Sequence, residues 1–405
     1  MYVLNLELLE KDMCKVSLVL PSLNVARYIE ECLESAINQE LKEIEIICVD
    51  AGSVDGTLEI IRNYSQRDRR IKLILSEKKS YGYQMNLGMQ HASGKYIGIL
   101  ETDDFIPKNM YRELYEIAER EQAEIVKADF YRFRTEGERI ERTYNRLDPS
   151  GSYYRKIINP AEHPQVFRFI MNTWSGIYLR SFLEENGIVH NETPGASYQD
   201  NGFWFKTFCC AKRIYFVDKP YYMNRRDNEA SSVANPGKVY CMTEEWGYIY
   251  DWLKTNDGRF ATFIGPYTLR KYHSLLFTYQ RIAPEYREEF IRHMSGEMEK
   301  LILAGEYDRK AFTAYEWRRM NLIIREPLSY HRICHSRCSH LYAANLLQRC
   351  QKHGGISRVI RKADRLMNKA EIGLSWIGYE GFLNAMRRAK WKNTKDWVNR
   401  EEAHG

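Results

Sequence analysis

The feature that most constrains this chain is the alternation of short apolar runs with helically spaced segments over residues 16–100. VSLVLPS, EIEIICVD, RIKLIL and KYIGILE have strand length, and ARYIEECLESAIN, TLEIIRNYSQRD and YQMNLGMQHASG between them carry apolar residues at helical spacing. Units this short predict an α/β fold with a mainly parallel sheet and helices on both faces, because parallel neighbours need a crossover. Ligands of such sheets bind beyond the carboxyl ends of the strands.

Polar clusters stand at those ends. The first strand runs into Pro21-Ser22-Leu23-Asn24, the second into Asp50-Ala51-Gly52-Ser53-Val54-Asp55-Gly56, and KYIGILE into Glu101-Thr102-Asp103-Asp104. Three carboxylates within four residues repel one another and raise each other's pKa unless a cation sits among them. A hard divalent cation, Mn²⁺ or Mg²⁺, fits, since it takes oxygen ligands from one or two carboxylates and from substrate phosphates. The glycine-bearing turn after Asp50 opens a helix and offers backbone N–H groups to an anion. G-x-G-x-x-G is absent after the first strand, which argues against a dinucleotide fold.

Residues 108–133 read as helix then strand, and 134–160 as a polar loop. Aromatic segments follow over 164–220, suited to walling a binding site. Beyond Asn235-Pro236-Gly237 the pattern is helical, so the predicted organisation is an extension over 1–14, a first domain over 15–236 and a helical domain over 237–405. From residue 331 onward fifteen Lys/Arg face six Asp/Glu, which makes the basic balance of the chain a property of its tail. There, cations mixed with Trp, Ile, Leu and Phe suit a helix lying on an anionic membrane; a solvated face or an oligomer contact is the commoner use. No recognition motif supports nucleic-acid binding.

The nine cysteines, the absence of a secretory leader pattern in MYVLNLELLEKDMCK and the lack of a long uncharged apolar run predict a reduced, cytoplasmic protein without a membrane span. Its working place would be the cytoplasm or the inner face of the cell membrane. Cys334, Cys338, Cys350 and His353, with His331, His335 and His340, have too short a spacing between pairs for a zinc site and read as ordinary helix residues.

KVSLVLPSLNVARYIEECLESAINQ, EIEIICVDAGSVDGTLEII, SYGYQMNLGMQHASGKYIGILETDDF and WSGIYLRSFLEENGIVHNETPGASYQDNGFWF, in this order, resemble the family 2 nucleotide-sugar glycosyltransferases of the GT-A fold over about residues 15–235. The resemblance implies an inverting, metal-dependent transferase that moves one sugar from a nucleotide-diphosphate sugar to a hydroxyl of a saccharide or lipid-linked acceptor. It implies donor contacts at Pro21, Ser22, Asn24, Asp50, Gly52, Ser53, Gly82, Asn86, Glu101 and Thr102, with Arg225 and Arg226 over the diphosphate. Asp103 falls where the family has its principal metal ligand, with Asp104 following, and Asp200 matches the aspartate that acts as general base. Chemistry agrees, since a hydroxyl is a poor nucleophile until a carboxylate takes its proton.

Three positions depart from the family pattern. Ala51 stands where a second aspartate usually binds uracil, Leu23 where a tyrosine is usual, and Glu101 where aspartate is common. UDP remains the first donor to consider. The alternatives are a sugar nucleotidyltransferase, which would need a glycine-rich basic loop that PSLNVARY lacks, and a non-catalytic nucleotide-sugar or glycan-binding module.

Overall fold

Strand β1 (Val16–Ser22) is buried at all seven positions, as is β2 (Ile44–Asp50), so these strands are the covered centre of a sheet rather than a half-exposed edge. The computed structural model describes residues 14–136, 139–228 and 236–335. Helix α1 (Ile29–Ile37) connects β1 to β2, α2 (Thr57–Arg67) leads to β3 (Ile71–Leu75), and α3 (Tyr81–Gln90) leads to β4 (Tyr96–Ile99). After α4 (Met110–Glu121) come β5 (Ile125–Glu136), β6 (Arg139–Asn145), β7 (Ile157–Ile158), β8 (Gly176–Leu179) with α5 (Arg180–Glu185), α6 (Gln199–Cys210) and β9 (Ile214–Arg225).

Among the described residues the sheet has the order β3-β2-β1-β4-β8-β5-β9-β7, with β6 paired to β5. The first four strands are parallel, as the βα alternation requires. Beyond them the sheet is mixed: β8 runs antiparallel to both β4 and β5, whereas β9 is parallel to β5. Strand β8 enters between β4 and β5 from later in the chain, so local βα alternation does not record its direction. Because β2 and β4 flank β1 on opposite sides, the strand order reverses there, which is where open α/β sheets leave a crevice for ligand.

The polar stretch expected as a loop over 134–160 instead contains a hairpin, β5 with β6. Its return is organised by Asp129, fully buried. Its Oδ1 accepts from the Leu147 N–H at 2.7 Å and the Tyr154 hydroxyl at 2.6 Å, and its Oδ2 from the Tyr144 hydroxyl at 2.7 Å. Burial still pushes this carboxyl up to about 6.

The described chain forms two compact units, residues 14–228 with 240–270, and residues 236–239 with 271–335. The first unit therefore extends past the boundary expected at 236. Helix α7 (Cys241–Lys254) and the start of α8 (Asp257–Arg281) complete its aromatic core, because α6 carries Phe203, Trp204, Phe205 and Phe208 around its circumference and needs cover on its second side. Phe205 of α6 meets Trp246 edge-on at 5.5 Å, Trp246 meets Tyr267 at 5.4 Å, and the Tyr267 hydroxyl donates to the Trp246 carbonyl at 2.7 Å. In the second unit α9 (Pro284–Leu303), α10 (Ala314–Arg325) and α11 (Pro327–His335) carry the expected helical pattern. A Thr313–Glu316 capping box starts α10, a Lys271–Glu297 ion pair of 2.8 Å is nearly buried, and His331 takes part in a 2.9 Å hydrogen bond with the Tyr279 hydroxyl. The basic tail, and Cys338, His340, Cys350 and His353, lie outside the described residues.

Candidate active site

The loops after β1 and β2 are locked together by side chains at the strand ends. Asp50 is fully buried, and its carboxylate takes four hydrogen bonds. The Gly52 and Ser53 N–H groups donate to Oδ1 at 2.9 and 2.8 Å, and the Ser22 and Ser53 hydroxyls to Oδ2 at 2.8 and 2.7 Å. Gly52 can follow because its φ of +82° suits glycine. Asn24, itself left-handed at φ 54°, donates its N–H to the Ser53 hydroxyl at 2.8 Å and accepts from the Val54 N–H at 2.9 Å. Asp50 and Ser53 thus shape this edge by bonding one another, and Asp50 has few oxygen lone pairs left for a ligand.

The acidic loop after β4 is anchored at Thr102, whose hydroxyl donates to the Pro21 carbonyl at 2.8 Å. Asp104 is 1 % exposed and turned into the protein, where Oδ1 accepts from the Arg225 N–H at 2.6 Å and Oδ2 from Asn224 Nδ2 at 3.0 Å. Glu101 accepts from the Tyr81 hydroxyl at 2.8 Å, while its own N–H donates to the Tyr222 hydroxyl at 3.0 Å. Burial, reinforced by Asp103, pushes Glu101 and Asp104 each up to about 8, the Tyr81 bond partly opposing this at Glu101. Asp103 keeps part of its surface exposed; its Oδ2 accepts from Asn228 Nδ2 at 2.8 Å.

Asp200 lies in the first turn of α6, two residues after Tyr198, which is in the left-handed region at φ 68°. Burial raises its carboxyl to about 6, against the N–H groups of Asn201 and of Asp200 itself, which favour the charge. Its field reaches Glu101 and Tyr81, raising both. The acid loop and Asp200 therefore belong to one electrostatic site.

The segment delivering Asp200 is clamped by α3. Asn86 donates from Nδ2 to the His190 carbonyl at 3.0 Å and to Glu192 Oε1 at 3.1 Å, and accepts the His190 N–H at 2.8 Å. A Cβ on Gly82 would lie 1.8 Å from the Asn191 carbonyl oxygen, so only glycine allows the approach. Gln199 closes the loop on itself, accepting from the Ser197 N–H at 2.6 Å and donating to the Gly195 carbonyl at 2.9 Å. His190 is buried, stacked on Phe203 at 4.3 Å and held neutral by burial.

The structure brings Pro21, Ser22, Asn24, Asp50, Gly52, Ser53, Glu101, Thr102, Asp103 and Asp104 to the strand ends. Asp104 faces β9, so of the two expected metal ligands Asp103 is the one presented outward. Gly82 and Asn86, expected beside the donor, hold the Asp200 loop. Arg225, expected over the diphosphate, has a side chain only 8 % exposed. Its Nε donates to the Asp103 carbonyl at 2.8 Å, another guanidinium nitrogen pairs with Glu31, and the group lies between Tyr28 and Phe133 at 4.8 and 4.6 Å. It supports the acid loop from behind. Arg226 bonds through its N–H to the Phe133 carbonyl at 2.9 Å. Residue-level reading missed Tyr81, Tyr222 and Gln84, whose Nε2 bridges the Ser22 and Val49 carbonyls at 2.9 and 2.7 Å. It also missed Trp174, which is partly exposed and stacked on Tyr222 at 4.3 Å. Only the aromatic richness read over 164–220 hinted at Trp174, and Tyr222 lies just past it.

Several known proteins are similar to this chain. The family described as "Glycosyl transferase family 2" matches residues 17–184. EpsJ of Bacillus subtilis (strain 168), an uncharacterized glycosyltransferase, is 32 % identical over 217 residues, covering 52 % of this chain and 61 % of EpsJ. The glycosyltransferase GlyG of Streptococcus pneumoniae serotype 4 is 28 % identical over 223 residues, covering 52 % of this chain and 70 % of GlyG. Among solved structures, S. aureus TarS superposes with a TM-score of 0.52 at 18 % identity, over 78 % of this chain and 54 % of TarS, which is a likeness of fold. Residues 17–184 thus match glycosyltransferase family 2, and the chain, with its parallel β1–β4 half, the reversal at β1 and the acidic loop at the strand ends, has a fold like the GT-A transferases.

Proposed function

We propose that the chain is an inverting, divalent-metal-dependent glycosyltransferase that moves one sugar from a nucleotide-diphosphate sugar to a hydroxyl of a saccharide or lipid-linked acceptor. The observation that carries this reading is the pairing of Asp200, a carboxyl poised near 6, with the acid loop whose outward member is Asp103. Asp200 takes the proton of the acceptor hydroxyl as that oxygen attacks the anomeric carbon, and is ionised for the task at neutral pH. Attack opposite the departing diphosphate inverts the anomeric centre.

Among the described residues no group of three His, Cys, Asp or Glu side chains is arranged to hold a metal ion. The donor set fits an ion held mainly by substrate: Asp103 supplies a partly exposed carboxylate, with Glu101 beside it, and diphosphate oxygens complete the shell. Bound Mn²⁺ or Mg²⁺ would neutralise the charge that builds on the leaving diphosphate. Arg225 and Asn224 keep the loop in place from behind, and the Asp50 network shapes the edge that receives the nucleotide. UDP is the first donor to test, and UDP-GlcNAc is the ligand of a TarS complex of like fold, at TM-score 0.50 and 19 % identity over 70 % of this chain and 80 % of that one. Among the described residues no helix is long and apolar enough to cross a membrane. A cytoplasmic place completes the reading.

The test is a thermal-shift panel of UDP-, GDP-, CDP- and dTDP-sugars with and without Mn²⁺, followed by turnover of the best donor by wild type, Asp103→Asn and Asp200→Asn. We expect one base to stabilise the protein in a Mn²⁺-dependent way, since stabilisation follows affinity, and both variants to lose turnover. Full turnover in both would overturn the proposal.

A further inference from the structure

Behind Asp200 lies a second carboxylate that the proposed reaction does not use. Glu245, on α7, is 1 % exposed, and its two oxygens go to different segments. Oε1 accepts the Gly202 N–H at 3.0 Å, and Oε2 accepts from Asn191 Nδ2 at 3.0 Å. Gly202 is two residues after Asp200, in the first turn of α6. Asn191 lies on the loop that leads into that turn. One carboxylate therefore ties down both sides of the segment that carries Asp200. Gly202 is required for the arrangement, since a Cβ there would lie 2.1 Å from Glu245 Oε1. Burying a carboxylate is an expensive way to hold two donors, which an apolar side chain with solvated donors would avoid. Negative charge at the start of a helix recovers part of that cost.

We propose that Glu245 is a positioning residue for Asp200, fixing the first turn of α6 and the 191 loop so that the base keeps its place against the acid loop. This rests on the reading of Asp200 as the base. The charged and titratable groups around Glu245 are Asp200 and Lys206 on α6, Glu192 and the neutral His190 on the loop, and Tyr248 on α7 itself. Lys206 is spent on the Val189 carbonyl and the Tyr248 hydroxyl, and burial lowers it to about 8. Burial first, and Asp200 among the charges, lift Glu245 to about 7.

The experiment compares the full chain with Glu245→Ala, Glu245→Gln and Asp200→Asn. One readout is Mn²⁺-supported hydrolysis of UDP-glucose, UDP-galactose, UDP-GlcNAc and GDP-mannose; the other is hydrogen exchange of the peptide spanning 199–205, which needs no substrate. In Glu245→Ala we expect kcat to fall about ten- to a hundredfold with donor KM nearly unchanged, because a small displacement of a reacting group costs on that scale. Exchange over 199–205 should rise at least about tenfold as the Gly202 N–H loses its partner. Glu245→Gln should recover both, since its oxygen still accepts from Gly202 and Asn191 can turn its amide. Wild-type exchange and kcat in Glu245→Ala, or a Gln variant as impaired as the Ala one, overturns the positioning role alone. Full hydrolysis by Asp200→Asn overturns the base reading, and this inference with it.

Discussion

Asp103 and Asp104 are neighbours in sequence, and the structure predicts that replacing them has opposite consequences. Asp104→Ala removes the acceptor of the Arg225 N–H and of Asn224 Nδ2 in a site that is 1 % exposed. A buried donor left without a partner costs about 1–3 kcal/mol, so the pair should cost roughly 2–4 kcal/mol after partial relaxation. In a unit of this size that lowers Tm by about 5–15 °C. Asp104→Asn behaves differently. Its oxygen can keep the Arg225 N–H, and its amide can donate to Asn224 Oδ1, which has no hydrogen-bond partner in the wild-type structure. It also abolishes a charge that burial disfavours, so it should stay within about 1 kcal/mol of wild type. The sign with pH follows: a carboxyl raised to about 8 stabilises the fold fully below its unfolded value near 4, and that contribution is lost as pH rises to 8. Asp104→Asn should therefore gain on wild type between pH 5 and pH 8 in metal-free buffer, about 1 kcal/mol or more. Asp103→Asn, partly exposed and with one side-chain bond at 2.8 Å, should leave Tm nearly unchanged yet lose the Mn²⁺-dependent shift with donor. Thermal melts of the four proteins at pH 5 and pH 8, with EDTA or with Mn²⁺ and UDP, separate these outcomes. A normal Tm for Asp104→Ala, or a collapse of Asp103→Asn without ligand, would refute the division of roles.

Other outcomes follow from the same geometry. For donor hydrolysis, kcat/KM should fall about tenfold per pH unit below about 6, as Asp200 takes up the proton that disables it as a base; a rate that stays flat down to pH 4.5 would exclude it. Gly82→Ala places a methyl 1.8 Å from the Asn191 carbonyl oxygen and should cost about 1–3 kcal/mol in denaturant midpoint while speeding proteolysis of the 190–198 loop. Asp50→Ala strands the Gly52 and Ser53 N–H groups and frees two hydroxyls, and a loss of about 3 kcal/mol or more should appear in urea titration. Phe205→Ala opens the aromatic core shared with Trp246 and Tyr267, at about 3–5 kcal/mol by the same measurement.

The part of this protein that its sequence determined is the part governed by local periodicity and short motifs. Strands β1 to β4 and their helices were legible because apolar spacing along a few residues records which face is buried, and a crossover leaves parallel pairing as the natural choice. The clusters at Asn24, Asp50 and Asp103 were legible for the same reason: they stand where those strands stop. Tertiary structure decided what side-chain type leaves open. Asp103 and Asp104 are the same chemical group one residue apart, and only the return of β9 turns one inward to Arg225 and leaves the other outward. Arg225 reads as a phosphate ligand until Tyr28, Phe133 and Glu31 enclose it. The antiparallel insertion of β8 between β4 and β5, and the return of α7 onto α6 that puts Glu245 behind Asp200, join residues tens of positions apart in the chain. Pairing and burial at that separation depend on how whole elements pack, and no window of local spacing contains them.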